Sequence, residues 1–538
     1  MKKIYLETFG CQMNVLDSEL IEGRLRTLGY DFTGDWTAAD IVLYNTCSVR
    51  QHSEDKVLSR LGLLKIRKQS QPDLVVGVLG CMAERNGLRL GQHWPQVDVL
   101  CGPGELDKLP ALLDNAFRTG KQQTALAGNT GAAGRRDVPA ASGDSSLELL
   151  DLSRSFSPQK NRFQAYIRVV RGCNKFCTYC VVPYTRGPEV SRAPQAIIDE
   201  ARRLVDAGAM EITLLGQTIN HYVYEHGTAS GAAGAVRRRT TFAELLYQLH
   251  ESIPHLPRLR FLTSFPADFT DDILHVLAGC SRICRYLHIP AQAGSNRILR
   301  LMNRGYTVES YLALVERARR LVPDIALAGD FIVGFPTETE EDYQATRDLV
   351  SRVRYKNCFI FKYSPRPGTV AARRHPDDVS ELEKRRRNND LLTVQNQISQ
   401  ELNRTLIGQS VQVLCEGPSG WNRSAESVIT QRTVPDETAA VAAFPPAPRV
   451  ELGRRLAAAM RAPVGRQAAG APPPIAPGAI QLMGRTTADQ IVVFDGAPSL
   501  EGRMVQVRIH TAHAMTIFAR LEREYSAEQE RRPSVPST

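Results

Sequence analysis

Three cysteines crowd into the run Arg-Gly-Cys-Asn-Lys-Phe-Cys-Thr-Tyr-Cys, at Cys173, Cys177 and Cys180. Nothing else constrains the folding of this chain as tightly, because three thiols at C-x3-C-x2-C spacing must curl around one centre. A structural zinc site wants a fourth sulfur or nitrogen ligand close by, and no Cys or His occurs in the next forty residues. A [4Fe–4S] cube takes four thiolates when the protein ligates every iron. Three leave one iron open, and an open iron points to chemistry on a bound small molecule rather than to electron storage.

At 538 residues the chain exceeds what one core organises, so three or more domains are expected. Residues 1–118 alternate short apolar strands, at 4–9, 41–45, 74–79 and 97–100, with amphipathic stretches such as 15–28 and 53–68. That alternation predicts an α/β domain with a mostly parallel sheet. Cys11, Cys47 and Cys81 each follow one of the first three strands. In such sheets the carboxyl ends of the strands share one edge, where ligands bind. Each of the three is as readily an ordinary buried cysteine; together they are candidate ligands for a second cluster.

Residues 119–160, rich in Gly, Ala and Ser, read as a linker. Residues 161–376 form a second α/β block with six strand candidates, at 165–171, 211–217, 260–264, 286–292, 325–335 and 357–363. Six βα units are too few for the usual eight-stranded closed barrel, so a partial (βα)6 barrel is expected. Cys173 lies at the end of its first strand, where such folds place their chemistry. Residues 225–240 read as an inserted surface loop. A charged helical connector spans 377–407. A small β-domain spans 408–525, its segment 418–480 dominated by Ala, Pro, Gly and Arg and expected to be disordered. Residues 526–538 are a polar tail.

Lys and Arg exceed Asp and Glu by 67 to 57, a formal charge of +10 that favours a polyanionic partner. No leader and no apolar run of membrane-spanning length is evident. Eleven cysteines, an odd number spread over a long chain, do not resemble a secreted disulfide framework and suggest a cytoplasmic protein. Cys101, Cys280, Cys284, Cys358 and Cys415 lack a ligand pattern and read as structural.

The Cys173–Cys177–Cys180 run resembles the radical S-adenosylmethionine (SAM) superfamily. In that family the open iron is chelated by the amino and carboxylate groups of SAM, whose reductive cleavage yields a 5′-deoxyadenosyl radical. The resemblance implies that Tyr179 lies near the adenine and that Gly334, in Phe-Ile-Val-Gly-Phe-Pro, belongs to a SAM-contacting strand. Phe-Gly-Cys-Gln-Met-Asn, Asn-Thr-Cys-Ser-Val-Arg and Leu-Gly-Cys-Met-Ala-Glu, around Cys11, Cys47 and Cys81, resemble the N-terminal domain of the methylthiotransferase family. There a second three-cysteine [4Fe–4S] cluster presents an open iron to sulfur. Replacing an unactivated C–H by C–S needs a hydrogen atom removed and a sulfur delivered, which a primary carbon radical and a sulfur-bearing site accomplish together. The family methylates that sulfur with a second SAM.

Within the family, Thr-Ser-Phe-Pro at 263–266, Met-Asn-Arg-Gly-Tyr-Thr at 302–307 and Tyr-Ser-Pro-Arg-Pro-Gly-Thr at 363–369 look most like the branch making 2-methylthio-N6-dimethylallyladenosine in tRNA. Phe265 stands where that branch is expected to carry His. A close branch acts on threonylcarbamoyl-adenosine. A reading of another class is a non-catalytic RNA-binding protein with structural or redox-sensing clusters. Glu-Gly-Pro-Ser at 416–419, Gly-Arg-Thr at 484–486 and Val-Val-Phe at 492–494 resemble a TRAM domain, a small RNA-binding β-barrel. This implies a phosphate contact for Arg485. The resemblance as a whole implies two [4Fe–4S] clusters and SAM as cofactors, and a tRNA anticodon stem-loop as partner. It further implies a flavodoxin- or ferredoxin-like electron donor, a monomer, and no membrane.

Overall fold

The structure, a computed structural model, describes residues 1–48, 51–127, 145–152, 154, 156–158, 160–226, 238–420 and 478–524. Strands Ile41–Thr46 and Val75–Gly80 are buried along their whole length, as central strands covered on both faces must be. They sit in a six-stranded parallel sheet, in the spatial order Asp31–Phe32, Lys3–Phe9, Ile41–Thr46, Val75–Gly80, Val99–Cys101, Gln123–Ala125. Helices Gln12–Thr27 and Leu109–Thr119 cover one face with Leu16, Leu20 and Leu113. Helices Gln51–Ser70 and Cys81–His93 cover the other with Leu61, Leu64 and Met82.

The second block carries two three-stranded parallel sheets. Gln164–Arg168, Glu211–Leu215 and Arg258–Phe261 make the first; Tyr286–His288, Ala326–Val333 and Asn357–Lys362 make the second. A parallel bridge between Leu259 and Ile283 joins them. No ladder among the described residues closes the last strand onto the first, so the partial barrel expected from six strand candidates forms. Phe331 and Val333 point into the apolar core under the helices. By alternation, Asp330 and Ile332 face the lumen.

The C-terminal strands close into a five-stranded barrel, in the order Ser410–Pro418, Ile480–Arg485, Ile491–Gly496, Ile517–Glu524, Met504–Ala512. Val413, Phe494, Val505 and Val507 fill it. Helix Glu381–Arg404 runs along the last βα-barrel strand, with Asn388 Nδ2 donating to Ile360 O at 3.1 Å. At its far end Asn403 Nδ2 donates to His513 O at 2.8 Å in the small barrel. No helix of the described residues is long and apolar enough to cross a membrane.

Two pieces of the stretch read as a linker are regular. Gln123–Ala125 adds the edge strand of the first sheet, and Ser145–Leu152 is a helix. The short helix packs Leu147 and Leu150 on the N-terminal core and is tied down by charge: Asp151 is 2% exposed and bonds Arg168 Nη2 at 2.6 Å and Arg171 Nη2 at 2.7 Å. The ends of the 225–240 insertion pair as a hairpin, Val223–Glu225 with Arg239–Thr241. Its centre, most of the 418–480 segment and the tail lie outside the described residues.

Two joints hold the three parts together. At the first, Arg168 on the first barrel strand bonds Asp17 Oδ1 (3.1 Å) on helix Gln12–Thr27. At the second, Arg260 on the barrel strand Arg258–Phe261 pairs with Glu211 Oε1 (3.0 Å) at the amino end of its neighbour and reaches Thr486 O of the small barrel at 3.3 Å. Arg258 Nη2 bonds Gln412 O at 3.1 Å. The small barrel therefore caps the amino ends of the βα-barrel strands, and the N-terminal domain meets the same barrel near the cysteine loop.

Candidate active site

The loop bearing Cys173, Cys177 and Cys180 leaves the first barrel strand and is pinched at its base by a two-residue ladder, Val170–Arg171 with Val190–Ser191. Gly172 sits in that neck at φ +69°, where a Cβ would fall 1.9 Å from Pro188 O, so only glycine allows the loop to close. Cys173 N donates to Gly187 O at 3.1 Å. The loop is pinned to the turn after helix Asn296–Leu301: Thr178 N donates to Met302 O (3.0 Å) and Asn303 Nδ2 to Phe176 O (3.1 Å).

N–H groups aim at all three sulfurs, the Lys175 backbone amide at Cys173 among them. Arg304 Nη1 lies 3.3 Å from Cys177 Sγ, and Val182 N lies 3.5 Å from Cys180 Sγ. Burial pushes the Cys173 thiol up to about 11 and raises Cys180 as well, with neighbouring thiols adding to the effect. Thiols so placed ionise when a cation takes the proton's place.

Arg304 also touches the Tyr179 hydroxyl at 3.4 Å, so Tyr179 is drawn to this centre. Phe265 lies between two cations, Lys175 at 4.8 Å and Arg304 at 4.6 Å from its ring. That setting explains why Phe is at home where the branch resemblance expects His, since a ring face attracts cations and a protonated imidazole would repel them. Gly334 is glycine for a packing reason: at φ +70° its Cβ would meet Lys384 Cγ at 2.3 Å.

The second thiol triplet occupies the carboxyl edge of the six-stranded sheet. Cys11 caps helix Gln12–Thr27, Cys81 opens helix Cys81–His93, and Cys47 follows strand Ile41–Thr46 between them. Gly10, at φ +131°, packs so closely on Cys47 that a Cβ would come within 2.2 Å of the Cys47 Cβ. The Cys11 thiol is pulled down to about 6, first by the hydrogen bond from Cys47, then, against burial, by Arg186. Cys81 is raised by burial, opposed by the Arg186 charge and a hydrogen bond with Thr185. A buried amide pair holds the floor: Asn14 Nδ2 donates to Asn45 Oδ1 at 3.1 Å, and Asn45 Nδ2 to Asn14 O at 2.9 Å.

Thr185 and Arg186 come from the other loop, five and six residues beyond Cys180. The short helix Val182–Thr185 packs on helix Cys81–His93. Arg366, after the last barrel strand, bonds Gln51 beside the Cys47 segment. The two triplets therefore belong to one region of the molecule.

Both donor sets suit iron–sulfur clusters. No disulfide joins any of the six cysteines, and the buried hydroxyls flanking Cys47, Thr46 Oγ1 and Ser48 Oγ, have no hydrogen-bond partner among the described residues, the condition that a bound group relieves. No three His, Cys, Asp or Glu side chains among the described residues gather tightly enough for a single metal ion. A cube does not require it, since each thiolate binds its own iron.

The sequence motifs contain Arg304 and Arg366 without giving either residue a role, and Arg186 falls outside them. The available signal was position: arginines inside Met-Asn-Arg-Gly and Ser-Pro-Arg-Pro, and one shortly after the last loop cysteine. Arg485, for which the TRAM resemblance implies a phosphate contact, pairs with Glu416 at 3.1 Å and Asp489 at 2.9 Å in the second joint. Its charge is neutralised inside the protein. On the lumen wall, His288 Nε2 lies 3.2 Å from Asp330 Oδ1, and Phe359, 44% exposed, meets the His288 ring edge-on at 6.0 Å. A flat aromatic beside a polar pair suits a heterocyclic base.

Residues 3–102 match the Uncharacterized protein family UPF0004, and residues 167–350 match the Radical SAM superfamily. The chain is 39% identical over 521 residues to the tRNA-2-methylthio-N(6)-dimethylallyladenosine synthase of Rhodopirellula baltica, a span covering 97% of this chain and 96% of that one. It is 41% identical over 416 residues to the enzyme of that name from Protochlamydia amoebophila, covering 77% and 86%. For the Moorella thermoacetica enzyme the identity is 37% over 513 residues, covering 95% and 96%. Likeness of that degree, sustained along both chains, means that this chain belongs to the radical SAM methylthiotransferases, in the family of tRNA-2-methylthio-N(6)-dimethylallyladenosine synthases.

Proposed function

We propose that this enzyme replaces the C2 hydrogen of N6-isopentenyladenosine, beside the anticodon of tRNA, by a methylthio group. The hydrogen leaves in 5′-deoxyadenosine, a second SAM gives the methyl, and one sulfur is consumed per product. Cys173, Cys177 and Cys180 hold the cluster that cleaves SAM; Cys11, Cys47 and Cys81 hold the one that handles sulfur. When bound, these groups supply an electron, a carbon-centred radical and a seat for sulfur.

The chain's own residues do the positioning. Arg304 donates to Cys177 and stands beside Tyr179, fixing the mouth of the barrel. His288, Asp330 and Phe359 receive the base, which must leave its stack to enter the lumen. An anticodon loop yields such a base more readily than a duplex.

The observation that carries this reading is the shared loop: the segment with the barrel cysteines also supplies Thr185 and Arg186 beside Cys81 and Cys11. Sulfur held at one triplet is then close to a radical made at the other. The formal charge of +10 supports a polyanionic partner. Eleven cysteines with no disulfide among them support a reducing cytoplasm. A small flavodoxin- or ferredoxin-like donor and a monomeric enzyme complete the reading.

The test is mass spectrometry of tRNA nucleosides from cells lacking the protein. Loss of the methylthio group from isopentenyladenosine is the expected result; loss only from the threonylcarbamoyl species would overturn it. Anaerobically purified protein should carry about eight irons per chain, two cubes of four.

A further inference from the structure

Arg186, six residues after Cys180 in the chain, lies beside Cys11 and Cys81 of the other triplet. Its side chain is 7% exposed and is held by Asp17 Oδ2 at 2.8 Å and Asn14 Oδ1 at 3.4 Å, both through Nη2. Cys11 Sγ reaches the same Asn14 Oδ1 at 3.2 Å, so a single acceptor atom separates guanidinium from thiol. Asp17 divides its carboxylate, Oδ1 to Arg168 and Oδ2 to Arg186. Nε and Nη1 of Arg186 make no hydrogen bond among the described residues, although a guanidinium carries five N–H donors. A buried, permanently charged group with unused donors is suited to an anion.

We propose that Arg186 is the positioning residue of the sulfur-handling site, its free N–H edge and fixed charge holding a small sulfur anion, hydrosulfide or an alkanethiolate, beside Cys11, Cys47 and Cys81. The proposal rests on the two-cluster reading above. It gives the radical loop a second role, because the loop that carries one set of cysteines supplies the cation for the other.

The experiment uses the full chain with Cys173, Cys177 and Cys180 replaced by Ala, reconstituted with iron and sulfide so that the second cluster remains. Sodium hydrosulfide is titrated in, and the electron paramagnetic resonance spectrum of the reduced cluster reads binding. Arg186→Gln should weaken hydrosulfide binding about tenfold or more, the worth of a charge-assisted hydrogen bond, with iron content unchanged. Arg186→Lys, which keeps the charge, should stay within about threefold of the parent. Equal affinity in Arg186→Gln and parent overturns the proposal, as does an equal loss in both variants. If Arg186→Gln does not hold iron, Arg186→Lys decides: iron loading with near-parent binding supports the proposal, and failure to load overturns it by making Arg186 purely structural. If the parent holds no cluster, or takes up no hydrosulfide, the two-cluster reading itself falls, and the proposal with it.

Discussion

The βα-barrel is gripped at two ends by the same chemistry, buried arginines paired with carboxylates, and the two grips differ in what else they touch. At the amino ends of the strands, Arg258, Arg260, Glu211, Arg485 and Asp489 lock the small β-barrel in place, with no candidate ligand cysteine in the network. At the other joint, Arg168, Asp17, Asp151 and Arg186 lock the N-terminal domain, and the network ends at Cys11. Buried ion pairs are weak evidence for stability but fix geometry, because a partner left alone is costly. One joint therefore sets only an orientation between domains, whereas the other sets the distance between the two cysteine triplets.

The sharpest break comes from the cysteines. Cys173→Ala should abolish SAM cleavage altogether, read as 5′-deoxyadenosine by chromatography. Cys47→Ala should leave that cleavage intact while methylthio product vanishes; normal product from Cys47→Ala would remove the second site from the mechanism. The joints come next. Asp151→Ala takes one carboxylate partner from Arg168 and Arg171, and Arg260→Ala takes the nearer cation from Glu211, so each should cost up to roughly 3 kcal/mol in denaturant unfolding. Only Asp151→Ala should lower methylthio product per 5′-deoxyadenosine formed. An equal ratio in both variants would erase the distinction between the joints.

A smaller effect is expected in the lumen. Phe359→Ala should raise KM for RNA by about 1–3 kcal/mol of lost base stacking, with RNA-independent SAM cleavage unchanged. Smallest is Arg485→Gln: if its charge is spent on Glu416 and Asp489, the salt slope of tRNA binding stays as it was. A real phosphate contact would lower that slope by about 0.9.

What could be read from the chain divides along the same line. The barrel strands and the first sheet announce themselves because continuous apolar runs such as Ile41–Thr46 have one use, to be buried on both faces. Cys47 and Cys81 could be placed at one sheet edge because each follows such a run, whereas Cys11 follows the less buried strand Lys3–Phe9. The joints were not, since Arg168 and Asp17 are 151 residues apart and neither belongs to a periodic pattern. The helix Ser145–Leu152 was missed because its eight residues offer only Leu147 and Leu150 to the N-terminal core, too short a run to show a period, and Asp151 adds an anchor the sequence does not reveal. The pairing of Arg485 with Glu416 was not legible, since Glu416 lies far back in sequence.

The turn Val182–Thr185, seated between Cys180 and Arg186, acts as a ruler. One residue added or deleted there would swing Arg186 by roughly 100° about the helix axis, away from Asn14 and Asp17, while Cys180 stayed put. The length of that short segment is thus as strict a requirement as the identity of the side chains at either end. A chain in which it varied would have to uncouple sulfur delivery from radical generation.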